Sequence, residues 1–190
     1  MENVNNSIAN NQFKGAAHQT ACENGYYAQP YSLDAIGFYF DTLEDYNEKA
    51  ASLKDRWGNL VEEFEIQYVD GDDSELFNSI SISQSNMARW FDDVEPLNEN
   101  EKAALYYLVS VVGYNLSSAL DKIDEVTLYD GRLEDAAEEL FDECYAHEIP
   151  ENLRNYIDYK SFARDCELGG DMCEFNYNGS TYTCTNSSGI

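Results

Sequence analysis

The chain has 190 residues, 37 acidic against 11 basic side chains for a formal charge of −26, and 15 Tyr, 9 Phe and 2 Trp within an apolar fraction of 43%. That aromatic content excludes a disordered acidic tail and is enough to build packed cores. The charge excludes nucleic acid and anionic membranes as partners, so a partner recognised by charge must be basic.

No run of 18 apolar residues is present, and Met1 to Asn10 lack the basic flank and apolar run of a signal peptide, which predicts a cytoplasmic chain. Five cysteines (Cys22, Cys144, Cys166, Cys173, Cys184) without a Cys-x-x-Cys pair predict reduced thiols rather than a disulfide framework or a zinc site.

Residues 1–24 are rich in Asn and Gln and lack periodicity, and they read as a mobile leader. Ile36 to Phe40 is a short β-prone run, Leu43 to Leu53 has the character of a helix, and Val61 to Val69 alternates, with Phe64, Ile66 and Tyr68 on one side. Asp70, Asp72 and Ser74 begin like a calcium loop, but Glu75 stands where the loop needs Gly and Ser81 where it needs an acid. Asp73 is instead expected to cap a helix carrying Leu76, Phe77 and Ile80. Asn98 and Glu101 have capping-box spacing ahead of a helix with Ala104, Leu105, Leu108, Val109 and Val112, stopped by Gly113. Residues 73–123 therefore read as helical throughout.

Leu133, Ala136, Ala137, Leu140, Phe141 and Cys144 form one apolar stripe at helical spacing, and Glu134, Asp135, Glu138, Glu139, Asp142 and Glu143 fill the other face. No Lys or Arg stands four residues on, so the like-charge repulsion, roughly a few tenths of a kcal/mol per pair, is unrelieved within the helix. Pro150 suits a first helical turn, Leu153, Tyr156 and Ile157 supply a short apolar face, and Asp158 can cap a further helix with Phe162 and Ala163 inward. In Glu174 to Thr185, Asn178-Gly179 separates two β-prone arms and predicts a hairpin. The fold class is α+β.

Catalysis has little to stand on. His18 falls in the leader, His147 adjoins Glu148 without the rest of a triad, and the glycine-rich phosphate-binding signatures are absent. No catalytic, cofactor-binding or metal residue is assigned, although a divalent-metal-binding acidic protein stays open as an alternative. Charge distribution is more informative. From Asp92 to Glu151 there are 17 acids against three bases, and from Asp41 to Glu75 12 acids against three bases, all on predicted elements. A solvated, soluble surface is the bland explanation. Against it, the 52 charges of a dimer would equal the phosphate charge of about 88 Å of duplex DNA.

The run Ala146-His147-Glu148-Ile149-Pro150-Glu151-Asn152-Leu153-Arg154-Asn155-Tyr156-Ile157-Asp158-Tyr159, followed by Phe162-Ala163-Arg164-Asp165, resembles the antirestriction motif of the ArdA antirestriction proteins. Tyr27-Ala28-Gln29-Pro30-Tyr31 with Gly37-Phe38-Tyr39-Phe40, and Val61-Glu62-Glu63-Phe64-Glu65-Ile66-Gln67-Tyr68, are similar to the family's first strands, so the likeness covers about residues 26–168 in order.

The resemblance implies an elongated, bent, homodimeric DNA mimic carried by mobile elements or phages, with three small domains in series: an N-terminal α+β domain (25–72), a helical middle domain (73–124) and a C-terminal α+β domain with the hairpin (125–190). It implies occupation of the DNA-binding groove of type I restriction–modification enzymes. Another DNA-binding target, such as a nucleoid protein, a repressor or a CRISPR effector, is the alternative. Phosphate mimicry then falls to Glu63, Glu65, Asp92, Asp93, Glu134, Asp135, Glu138, Glu139, Asp142 and Glu143. Ile149, Pro150, Glu151, Leu153, Tyr156, Ile157, Asp158 and Tyr159 carry the motif and its dimer interface, with a local helical core as the other reading of its apolar residues. The leader, the Cys-containing hairpin and His147, where a small residue is expected, depart from the family pattern.

Overall fold

The structure is a computed structural model and describes residues 25–190; the leader, His18 and Cys22 lie outside the described residues. Strands β1 (Gly25–Pro30), β2 (Phe38–Phe40) and β3 (Phe64–Asp70) form an antiparallel sheet of order β2-β1-β3. The alternation expected in β3 is present: Phe64 and Ile66 are buried, Glu65 and Gln67 exposed. Helix α1 (Leu43–Ser52) is capped by Thr42, whose hydroxyl accepts the Asp45 N–H at 3.1 Å, and it presses Tyr46 onto the sheet.

Tyr26, opposite Phe40 on one side and Tyr68 on the other, is the centre of this half. Its ring stacks on Phe40 and meets Tyr68 and Phe91 edge-on, with centroids 5.1–5.4 Å apart. Its hydroxyl accepts from Trp90 Nε1 at 2.7 Å and donates to Glu95 Oε1 at 3.0 Å, so the buried polar atoms are satisfied. Burial pushes both the Tyr26 phenol and the Glu95 carboxyl above their ordinary values; the bond from Tyr26 partly offsets this for Glu95.

Helix α2 (Ser74–Ile80) buries Leu76 and Phe77. Asp73 stands at its N-cap position, but its side chain makes no capping bond. The carboxylate instead accepts from Lys102 Nζ at 2.6 Å in a pair with side chains about 10% exposed. A buried cation needs a counter-charge more than a helix end needs a cap, and here the pair ties the start of α2 to the helix carrying Lys102.

The middle segment is not helical throughout. Helix α3 (Met87–Arg89) runs into a π-helical stretch, Trp90–Val94; α4 (Glu99–Tyr106) runs into another, Tyr107–Val112; and α5 (Leu116–Lys122) follows. Ser81 at φ +57° and Gly113 at φ +91° break the run. The Asn98–Glu101 capping box forms as expected, with bonds of 3.1 and 2.8 Å.

The second sheet has strand β4 (Leu128–Asp130) and the hairpin β5 (Cys173–Tyr177) and β6 (Ser180–Cys184), in the order β4-β6-β5. Asn178 and Gly179 both have positive φ, the signature of a tight primed turn. Phe175, Tyr177, Tyr182 and Cys184 belong to the same continuous buried cluster as the first sheet, joined through Leu105, Tyr107 and Leu108. Glu75 fastens the two halves, accepting from the Tyr106 hydroxyl and from Asn178 N, both at 2.8 Å. Helices α6 (Leu133–Cys144) and α7 (Tyr159–Gly169) close a smaller core of Leu133, Ala137, Ala163, Cys166 and Met172. Cys144, Cys166, Cys173 and Cys184 are free thiols, and burial raises the last three.

Lys102→Met leaves the Asp73 carboxylate buried and unpaired, and should lower unfolding stability by about 3 kcal/mol. The double change Asp73→Asn/Lys102→Met should recover most of that loss. Urea unfolding, which leaves surface charge unscreened, measures both.

Candidate functional site

Helix α6 is held in rotation by its apolar stripe. Leu133, Ala136 and Ala137 are buried against α7 and the sheet, while Phe141 meets Phe162 and Tyr159 edge-on at 5.2 and 5.5 Å. Leu140 and Phe141 are half-buried, and Cys144, the last residue of the expected stripe, is exposed. The first free N–H of the helix, Leu133 N, donates to Glu174 Oε2 on β5 at 2.8 Å. That carboxylate also lies where the helix dipole favours negative charge.

With the stripe fixed, Glu134, Asp135, Glu138, Glu139, Asp142 and Glu143 are all exposed. They form two columns, Glu134-Glu138-Asp142 and Asp135-Glu139-Glu143. At about 1.5 Å rise per residue they place one carboxylate per about 2.7 Å of axis, against about 1.7 Å per phosphate in duplex DNA.

The groups beside the helix register this field. Tyr159 donates to Asp142 Oδ1 at 2.8 Å, and that bond chiefly raises its phenol above the ordinary value, with Glu138 adding to it. On the other flank Tyr129 of β4 is raised by desolvation and then by Glu139, Asp135, Asp130 and Glu138. Lys160 of α7 comes to 3.4 Å from Glu134. The repulsion is therefore relieved at one end, by a cation from a different helix.

Glu63, Glu65 and Asp92 are likewise exposed, Glu65 on the solvent face of β3. Asp93 differs from the expectation: it is half-buried and bound to Arg89 Nε at 2.8 Å, so its charge is already answered.

The motif segment is mostly on the outside. Glu151–Tyr156 is a 3-10 helix entered from Pro150, tied back by Arg154 donating to the Ala146 carbonyl at 2.8 Å. Ile149, Ile157 and Tyr159 are half-buried, and Pro150 and Glu151 are exposed. Leu153 is 48% and Tyr156 84% exposed, so the reading of these two as a local helical core does not hold. Asp158 caps α7 as expected, accepting from Ser161 N and Oγ, and these bonds hold its carboxyl below the ordinary range. His147 is exposed, 3.8 Å from Glu148. Among the described residues, no three His, Cys, Asp or Glu side chains come together as a metal site, and no helix is long and apolar enough to cross a membrane.

A family model for antirestriction protein (ArdA) matches residues 8–179. The chain belongs to the ArdA antirestriction family. Antirestriction function, the inhibition of restriction enzymes, follows from that membership. No curated protein and no solved structure matches the chain.

Sequence reasoning misses Glu174, Lys160 and Tyr129, because each reaches α6 from a separate element with no local pattern to announce it. Asp142→Asn should weaken the Tyr159 bond and bring that phenol down towards its ordinary value near 10. Ultraviolet difference titration reads the shift; an unmoved titration would remove Asp142 as its cause.

Proposed function

We propose that this ArdA protein is a non-enzymatic DNA mimic that acts in the cytoplasm as a homodimer. It occupies the DNA-binding groove formed by the specificity and methyltransferase subunits of a type I restriction–modification enzyme, blocking restriction and, through the same groove, modification. The observation that carries this reading is the face of α6, where six carboxylates stand at roughly 60% of the axial charge density of duplex DNA on a helix whose rotation is fixed by buried contacts. Lys and Arg side chains placed to meet phosphates meet carboxylates instead.

Glu63, Glu65 and Asp92 extend the negative surface, with Asp93 a lesser contributor because Arg89 holds it. The two sheets fall within 25–72 and 125–190, with α2 to α5 between them, which supports the expected order of three segments along the chain, packed here around one continuous core. The exposed apolar side chains of Leu153 and Tyr156, flanked by Ile149 and Ile157, support the motif as the dimer contact. Family membership favours a restriction enzyme over a nucleoid protein, a repressor or a CRISPR effector.

Replacing Asp135, Glu139 and Glu143 with Lys inverts one column while leaving the buried stripe intact. The triple variant should keep its circular dichroism spectrum and lose at least about tenfold in inhibition of a type I enzyme, with plating of unmodified phage on a restricting strain falling accordingly. Full inhibition by the variant would contradict the proposed role of α6. Wild-type inhibition should weaken steeply between about 50 mM and several hundred mM salt.

Leu153→Ser with Tyr156→Ser should give a folded monomer, read as a halved mass by light scattering. An intact dimer would place the contact elsewhere.

A further inference from the structure

The loop after β1 and the turn before β3 combine apolar exposure with fixed geometry. Tyr31 is 65%, Leu33 100%, Ile36 85%, Trp57 70% and Leu60 58% exposed. An isolated exposed apolar residue needs no explanation, but five on two adjoining loops do.

These loops are built rather than loose. Asp34 accepts from Trp57 Nε1 at 3.1 Å and pairs with Arg56 at 2.9 Å, while Arg56 N donates to the Asp34 carbonyl at 2.9 Å. The Arg56 guanidinium lies 4.7 Å from the centre of the Trp57 ring. Asp55 Oδ1 accepts from both Trp57 N and Asn59 N at 2.9 Å, and the turn is closed by a bridge between Lys54 and Leu60. The indole is thus held outward by bonds that do nothing for a buried core.

Beside it, an open groove of about 250 Å³ is lined by Tyr31, Leu60 and Val61 together with Asp55, Glu62 and Glu63. Its lining, which also includes Ser32, is more polar than apolar, and carboxylates set beside Tyr31 and Leu60 fit the cationic head of a lysine or arginine with part of its aliphatic stem. Arg56 is already paired with Asp34, so a second copy of this chain would bring mainly its own acidic rim, offset only by Lys54, against this one. The first 24 residues bring only Lys14 against Glu2 and Glu23, with no excess of positive charge. Charge complementarity therefore selects a cationic protein surface.

We propose that the patch of Tyr31, Leu33, Ile36, Trp57 and Leu60, with the groove rim of Asp55, Glu62 and Glu63, is an apolar anchor for the basic wall of the restriction enzyme's DNA groove. The proposal rests on the antirestriction reading above and adds to it a contact that has no counterpart in DNA. Carboxylates on α6 steer the encounter and lose strength in salt, whereas burial of Trp57 and its neighbours resists salt. A mimic with both can displace a duplex that has only the first. Exposed Trp and Tyr held in place are the side chains that most often dominate such contacts.

The test uses the full chain and a type I enzyme that it inhibits. With 5-fluorotryptophan the protein gives two fluorine resonances, one from exposed Trp57 and one from fully buried Trp90. The Trp57 resonance should shift on addition of stoichiometric enzyme while that of Trp90 stays. Leu33→Ser with Ile36→Ser alters two exposed side chains, so folding is retained; binding should weaken at least about tenfold with the slope of log Kd against log salt unchanged. Full affinity in that variant with an unmoved Trp57 resonance would overturn the anchor and leave the antirestriction reading standing. A flattened salt slope in the variant would also overturn it, because the patch would then act through charge. Lost self-association at unchanged enzyme affinity would overturn it too, by making the patch a face between copies. Failure of the wild type to inhibit any type I enzyme would overturn both readings.

Discussion

Repulsion among like charges held at fixed positions is what this fold must withstand, since 26 net negative charges are carried on 190 residues. Each carboxylate fixed near another of the same sign raises the free energy of the compact state relative to the expanded one. The compensation is local and of two kinds. A dense aromatic cluster around Tyr26, Phe40, Phe77 and Trp90 supplies burial that is indifferent to charge. Three of the cations join separate elements: Lys102 to Asp73 between α4 and α2, Lys160 to Glu134 between α7 and α6, and Arg56 to Asp34 between two loops.

The same economy explains why α6 stays so strongly negative. Several cations pair with near neighbours in sequence, Lys49 with Asp45, Arg89 with Asp93 and Lys122 with Glu125, and those pairs lie away from α6. Buried contacts with α7, not surface pairing, set the orientation of α6. Glu134 is met by Lys160 and Asp142 by Tyr159, while Asp135, Glu138, Glu139 and Glu143 are presented to solvent on a helix fixed in rotation. On the proposed reading, rigidity is what would distinguish a mimic from a merely soluble acidic surface, because only a rigid row keeps a fixed spacing.

Much of the fold was legible from local pattern. The stripe of α6, the capping box at Asn98, the Asp158 cap and the Asn178-Gly179 turn each rest on signals within one element, and each formed, the stripe as far as Phe141. What was not legible depends on distance along the chain. Asp73 looks like a cap until Lys102 arrives from 29 residues away, and Glu174 reaches Leu133 across 41 residues. The π-helical stretches share the composition of ordinary helices, so periodicity does not separate them. Leu153 and Tyr156 have the residue types of a core but lie on the surface, a distinction set by tertiary packing alone. The motif resemblance located the family, and the geometry then distributed its acids unequally, with Asp93 paired to Arg89, Glu134 and Asp142 met by neighbours from α7, and the column Asp135-Glu139-Glu143 open.

Substitution of carboxylates for phosphates in a single groove is tested most directly by competition. A labelled duplex bearing the recognition sequence is bound to a type I methyltransferase that this protein inhibits, and the protein is titrated in. Complete displacement is expected, with the midpoint rising in proportion to duplex concentration. A stable ternary complex, with the duplex still bound while the enzyme is inhibited, would contradict it.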